Sequence, residues 1–330
     1  MERCTMKVAI LDDWFGTLRT LPCYAYLKGL DVTVFTDHCA DTAALADRLA
    51  PFDAITLFRE RTTIDDDLLA RLPKLKLISH RGAYPHVDVD ACSRRGVTLC
   101  ANQNNSTAPS YAAPEHTFAL ILAAMRQIPQ QMRNMQAGHW QMGVGKTLYG
   151  RVLGLYGYGR IAKRVAQYAE AFGMQVIWWA SESGRARLLA DGRTVADSRN
   201  IFFETADVVS VHVRLVPETR GTITKSDLMS MREDALFVNT SRAALIEPGA
   251  LLMALDAGQP GQAALDVFDQ EPITTPDDPI ATHPRVICTP HVGFVTEDEL
   301  NLQFNDIFAQ VAAFARGAPI HVINPESMLE

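Results

Sequence analysis

Three charged side chains stand just beyond three apolar runs in the second half of this 330-residue chain. Arg242 follows the run 235–239, Glu271 follows 263–268, and His291 follows 286–289. Their chemistry is complementary. An arginine fork holds a carboxylate through two parallel bonds. A histidine gives or takes a proton near neutral pH. A carboxylate beside that ring orients it and favours its charged form. Taken singly, each reads as an ordinary surface or turn residue. Taken together at consecutive strand ends, they read as an acid–base site for an anionic reactant.

A fourth element stands upstream. The run 152–156 leads into Gly157-Tyr158-Gly159-Arg160-Ile161-Ala162, and a helix pattern continues through Val165, Ala166 and Ala169. This is G-x-G-x-x-A between a strand and a helix, the setting in which the pattern points to a dinucleotide. Gly157 permits the tight turn. Gly159 lets a pyrophosphate approach backbone N–H groups at the positive end of the helix. Ala162 allows the helix to pack closely on the strand. A ribose-reading acid is expected about 20 residues further on. There the chain reads Trp179-Ala180-Ser181-Glu182-Ser183. Glu182 repels a 2′-phosphate, whereas Ser181, Ser183 and Arg185 would welcome one. The balance favours NAD and leaves NADP open.

These groups need elements to carry them. Short apolar runs at 8–11, 32–35, 54–58, 75–79 and 97–100 are bounded by Asp, Gly, Pro or Asn. Further runs lie at 152–156, 175–179, 208–213, 236–239, 263–267 and 286–289. Continuous runs of this length suit parallel strands buried on both faces. Helical stretches alternate with them, among them 42–49 and 64–72, the latter with Thr63 as its cap and Pro73 past its end. The pattern predicts an α/β fold with two doubly wound parallel sheets. In such sheets ligands bind outside the carboxyl ends of the strands, where all four features fall. A long helix over 112–132 joins the two halves, with Pro114 in its first turn and Pro129 ending or bending it. A last helix spans 297–316.

Composition removes other classes. Hydrophobic residues make up 48%, enough for a core. Lys plus Arg total 31 against 38 for Asp plus Glu, a net charge of −7, which argues against nucleic acid as a partner. The run 118–125 is far short of the roughly 20 residues of a membrane span. No signal peptide is read at residues 1–7. Cys4, Cys23, Cys39, Cys92, Cys100 and Cys288 are scattered without a CxxC. They read as reduced thiols of a cytoplasmic protein, with no metal site expected.

The chain resembles the D-isomer-specific 2-hydroxyacid dehydrogenases over nearly its whole length. The carrying segments are the glycine turn, Ala206-Asp207-Val208-Val209-Ser210-Val211-His212, Pro217-Glu218-Thr219-Arg220-Gly221, Phe237-Val238-Asn239-Thr240-Ser241-Arg242, Ala264-Leu265-Asp266-Val267-Phe268 and Thr289-Pro290-His291. The resemblance implies that Arg242 binds the substrate carboxylate and polarises the keto group, that His291 is the general acid/base, and that Glu271 is its partner. It places Asp266 at the nicotinamide carboxamide, His212, Val213 and Arg214 at the adenosine, and Thr240, Ser241 and Gly293 among the cofactor contacts. It implies a Rossmann cofactor domain (107–296) inserted into a flavodoxin-like substrate domain (1–106 and 297–330). Family members commonly pair as homodimers through their cofactor domains.

Several positions depart from the family pattern. Ala180 replaces the ribose-reading Asp, Arg214 stands where Pro is common, and Ala243 follows Arg242 in place of Gly. The glycine-rich substrate loop reads His80-Arg81-Gly82-Ala83-Tyr84-Pro85-His86. Gly82 and Ala83 would present amides to the carboxylate there and Arg81 would bind the substrate with them, with Arg81, Tyr84 and His86 altering the pocket. The implied reaction is hydride transfer between a nicotinamide cofactor and a small 2-oxo or D-2-hydroxy acid. Alternatives are an NAD-responsive scaffold, and phosphite or formate oxidation. Glu271 weakens formate, for which the family pattern has Gln.

Overall fold

The structure, a computed structural model, describes residues 5–103 and 111–328. Cys4 and Ser110 lie outside them. The chain divides into two compact units, one of Met1–Pro109 with Thr296–Glu330, the other of Ser110–Val295.

In the first unit the apolar runs become β1 (Lys7–Ile10), β2 (Asp31–Val34), β3 (Ala54–Thr56), β4 (Leu77–Arg81) and β5 (Thr98–Asn102). All pair in parallel in the order β2-β1-β3-β4-β5, the flavodoxin-like arrangement. Val8, Ala9, Ile10, Ala54 and Ile55 are fully buried, as strands covered on both faces require. Helix α1 (Thr42–Leu49) starts where the Asp41 carboxylate accepts the Ala44 amide at 2.8 Å, and it buries Leu45, Ala46 and Leu49. The helix expected over 64–72 is shorter. Helix α2 spans Asp66–Ala70 and is capped by Asp65, not Thr63. Ile64 spends its backbone on a parallel bridge instead, donating to the His86 carbonyl and accepting from the Asp88 amide, both at 2.8 Å. Helix α3 (Val89–Arg94) follows. The C-terminal helix Glu297–Ala315 is capped by Thr296 and has three acids in its first turn. It packs on β4, burying Phe304, Ile307 and Phe308.

The second unit opens with α4 (Ala112–Met125) and α5 (Ile128–Gln136), where the sequence predicts one helix over 112–132. The break comes at Gln127, which has φ 53°. Pro129 sits in the first turn of α5 and has no N–H for the Met125 carbonyl four residues back. The Lys146 amide takes that carbonyl at 2.6 Å. Pro129 therefore starts a helix rather than ending one.

Then follow β6 (Val152–Tyr156), α6 (Arg160–Ala171), β7 (Gln175–Trp179), α7 (Glu182–Ala190), α8 (Arg199–Thr205), β8 (Val208–Val211), α9 (Lys225–Ser230), β9 (Leu236–Asn239), α10 (Ala250–Ala257), β10 (Gln262–Leu265) and β11 (Val286–Cys288). The parallel sheet runs β11-β10-β9-β8-β6-β7. A one-residue parallel bridge between Trp178 and Val195 adds a minimal strand outside β7. With it counted, the order in chain sequence is 3-2-1-4-5-6-7, a Rossmann arrangement extended by one strand. The order reverses at β6, so a crevice opens at its carboxyl end beside β8. Among the described residues five cysteines are free thiols, and no helix is long and apolar enough to cross a membrane.

Candidate functional site

At the carboxyl end of β6, Gly157 has φ 113° and donates to the Trp179 carbonyl at 2.7 Å. A Cβ there would stand 2.3 Å from the His212 carbonyl oxygen, so only glycine fits. Gly159 differs. It caps α6 in extended conformation, no side chain caps that helix, and nothing lies within 4 Å of where its Cβ would be. The first amides of α6 thus open onto space beside the turn, while Ala162 is buried beneath. This cradle fits a pyrophosphate. Arg160 and Ile161 are exposed at the helix start. Tyr158 is not: its ring meets Trp178 edge-on at 5.1 Å and its hydroxyl donates to Asp191. Only its backbone is left to contact a ligand.

The other expected cofactor residues flank this crevice. Ser181 caps α7, accepting from the Gly184 amide at 3.3 Å. Ala180 is buried. Arg185 stacks on Trp179 at 4.6 Å and donates to the Ala180 carbonyl. His212 lies 2.9 Å from Ser210 Oγ, and burial pushes its pKa down to about 4, so the ring is neutral at neutral pH. Val213 is half-buried and Arg214 exposed.

The loop after β9 is folded by Asn239, which is fully buried at the strand end. Its amide oxygen accepts the Ser241 amide at 3.0 Å and its nitrogen donates to the Arg242 carbonyl at 2.9 Å. Ser241 Oγ donates to the Val211 carbonyl, and the Thr240 hydroxyl lies 2.7 Å from that of Thr117. Arg242 emerges exposed from this loop.

His291 Nδ1 stands 2.6 Å from Glu271 Oε2, and Glu271 Oε1 accepts the Phe268 amide at 2.9 Å. Burial alone would raise the Glu271 pKa. The bonds from His291 and Phe268, helped by the charge of Arg242, outweigh burial and hold it below its ordinary value. Asp266 is 1% exposed. It accepts Thr289 Oγ1, the Val292 amide at 2.9 Å and the Gly293 amide at 2.8 Å. A Cβ on Gly293 would stand 2.9 Å from Asp266 Oδ2. The residue assigned to the carboxamide therefore also braces the turn that presents His291. Burial works against its ionisation, but bonds from His116, Thr289 and Val292 keep its pKa low.

In the first unit, the loop after β4 offers less than the sequence promised. Arg81 Nε donates to Asp306 at 2.6 Å, so its charge is already paired. The Gly82 amide is bonded to the Asn102 carbonyl at 3.0 Å. Ala83 is exposed, and its carbonyl lies 3.0 Å from His80 Nε2. Sequence reasoning gave no role to Asn239, His116 or Thr117. The signal was available: a polar side chain inside an apolar run must find a partner when buried.

The catalytic candidates thus meet at one edge of one sheet, beside a cradle for a pyrophosphate. Residues 118–293 match the family model described as D-isomer specific 2-hydroxyacid dehydrogenase, NAD binding domain. The chain is 34% identical over 286 residues to a glyoxylate reductase of Aeropyrum pernix, covering 82% of each. It is 34% identical over 287 residues to a D-3-phosphoglycerate dehydrogenase of Bacillus subtilis, covering 85% of this chain and 53% of that one. The chain therefore spans about half the length of that curated relative. A phosphoglycerate oxidoreductase from Vibrio cholerae has a crystal structure that is similar at a TM-score of 0.88, with 44% identity over 95% of this chain and 100% of that one. The chain belongs to the D-isomer-specific 2-hydroxyacid dehydrogenase family and contains its NAD-binding domain.

Proposed function

We propose that this chain catalyses reversible hydride transfer between NAD and a 2-oxo or D-2-hydroxy acid. The observation that carries the reading is the 2.6 Å pair of His291 and Glu271, with Arg242 close enough for its charge to act on the same carboxylate. Bound NAD supplies or accepts the hydride. With Nδ1 committed to Glu271, His291 exchanges the proton through Nε2: it protonates the developing alkoxide in reduction and takes the hydroxyl proton in oxidation. Arg242 holds the carboxylate and stabilises the negative charge growing on the keto oxygen. Glu271, ionised throughout the neutral range, faces the imidazolium when it forms.

The names of the relatives direct the search for substrate to short acids. A spectrophotometric screen of glyoxylate, hydroxypyruvate, its 3-phosphate, pyruvate and phenylpyruvate, run with NADH and NADPH in parallel, is expected to find turnover with at least one acid and a preference for NADH. NADH binding without turnover of any of them would leave the scaffold reading standing instead. Preference for NADPH would implicate Ser181, Arg185 or Arg214.

Glu271→Gln tests the pair. Removing the carboxylate takes away the acceptor that orients the His291 ring at 2.6 Å, so reduction should slow. Its rate at neutral pH should drop by about tenfold or more, within the range of general acid–base contributions. Equal reduction rates for Glu271→Gln and the unmodified enzyme would argue that the pair takes no part in the chemistry.

We further propose that two copies pair through the second unit. None of the residues of α5 is buried; Ile128, Met132 and Met135 are exposed on it, and Trp140 and Met142 are exposed in the segment that follows. Clustered exposed apolar side chains of this kind mark interaction surfaces. Sedimentation should give a dimer at micromolar concentration. Met135→Asp combined with Trp140→Asp should give a folded monomer, and a monomer before mutation would end the proposal.

A further inference from the structure

Helix α4 supplies no group to the chemistry above, yet two adjacent side chains on it reach the two loops that do. His116 Nε2 lies 2.9 Å from Thr289 Oγ1 and 3.3 Å from Asp266 Oδ1. An ionised carboxylate only accepts, so this nitrogen carries the hydrogen. The Thr289 hydroxyl accepts from His116 and hands its own hydrogen to Asp266. Asp266 in turn accepts the amides of Val292 and Gly293. The turn presenting His291 is therefore fastened on both sides to one buried carboxylate, and that carboxylate is fastened to α4.

The fastening has something to hold. His291 has φ 52°, in the left-handed region. A non-glycine residue stays there only where its surroundings over-determine it. The next residue of α4 does the same for the other loop. Thr117 Oγ1 donates to the Ala113 carbonyl at 2.8 Å and so accepts from Thr240 Oγ1 at 2.7 Å. Thr240 stands two residues before Arg242 in the loop that Asn239 folds.

We propose that His116 and Thr117 are positioning residues for the reaction, His116 acting on His291 through Thr289 and Asp266, and Thr117 acting on Arg242 through Thr240. One helix thereby sets the acid–base group and the carboxylate clamp in a common frame. This rests on the function proposed above.

The full chain carrying His116→Leu, His116→Gln or Thr117→Val tests it. Small displacements of a reacting group cost up to about a hundredfold in rate, so His116→Leu should lower kcat about tenfold or more while the NADH Kd stays within about twofold. The Val292 and Gly293 amides should exchange with solvent faster in that variant. His116→Gln keeps a donor near the Nε2 position and should restore most of kcat. Thr117→Val should raise KM for the 2-oxo acid several-fold, by about one lost hydrogen bond, more than it lowers kcat. Unmodified kcat and unmodified exchange in His116→Leu would overturn the proposal, as would a His116→Gln variant as impaired as His116→Leu. Should His116→Leu not fold, Thr289→Val breaks the same link from its other end and must show the same loss of kcat. A starting protein that reduces no 2-oxo acid would defeat the function proposed above, and the exchange rates of Val292 and Gly293 would still decide the positioning role.

Discussion

His291→Asn is expected to lower kcat for reduction by about 10²–10⁴-fold, the range that a positioned general acid supplies. Asparagine is the informative replacement. His291 sits at φ 52°, and asparagine is among the few non-glycine residues at ease there. Alanine would add backbone strain to the lost chemistry and blur the result. The amides that hold the turn belong to Val292 and Gly293, and their bonds to Asp266 survive the change. Thermal stability should therefore move by no more than a few degrees, and NADH should bind as before. Turnover must fall because the side chain can no longer give up a proton at the alkoxide. A stopped-flow trace of NADH oxidation measures the chemical step directly. A variant within tenfold of the unmodified rate would show that the proton comes from elsewhere, and the assignment of His291 would be lost with it.

How far the sequence carries this site depends on whether a feature is local. Arg242, Glu271 and His291 were legible because each follows an apolar run, and consecutive parallel strands deliver their carboxyl ends to one edge. The glycine turn was legible because strand, turn and helix are contiguous. What stayed hidden depends on partners distant in the chain. Val195 forms a one-residue strand because Trp178 lies beside it, and two apolar residues, Val195 and Ala196, in a polar stretch give no periodic signal. Ile64 leaves its helix because His86 and Asp88 offer it a bridge. Arg81 reads as a cation aimed at an anionic substrate until Asp306, more than 200 residues away, is seen to pair with it. Pro129 is ambiguous in sequence because a proline ends one helix as readily as it opens the next. Only the Lys146 amide on the Met125 carbonyl resolves it.

The acidic balance of the chain gains meaning from the same geometry. A protein of net charge −7 that takes a pyrophosphate and, on the function proposed above, a carboxylate must attract them locally. Arg242 is one such source, and the uncapped start of α6 is the other. Gly157 and Gly159 separate what the fold needs from what the ligand needs. Gly159→Ala should leave the unliganded protein unharmed: φ −102° and ψ −177° are open to alanine, and nothing lies within 4 Å of the new methyl group. The methyl would instead stand in the space through which a pyrophosphate approaches the helix amides. Losing one or two charge-assisted bonds should weaken NADH binding about 100-fold, or about 2.7 kcal/mol. Gly157→Ala should do the opposite. Its Cβ would press into the His212 carbonyl at 2.3 Å from a backbone at φ 113°, and the protein should lose about 2–4 kcal/mol of stability without any ligand present. Denaturation of the unliganded variants and NADH titration by fluorescence read the two effects independently. Gly159→Ala binding NADH with unmodified affinity would mean that the pyrophosphate does not lie on α6. The strand–turn–helix motif would then be serving packing alone.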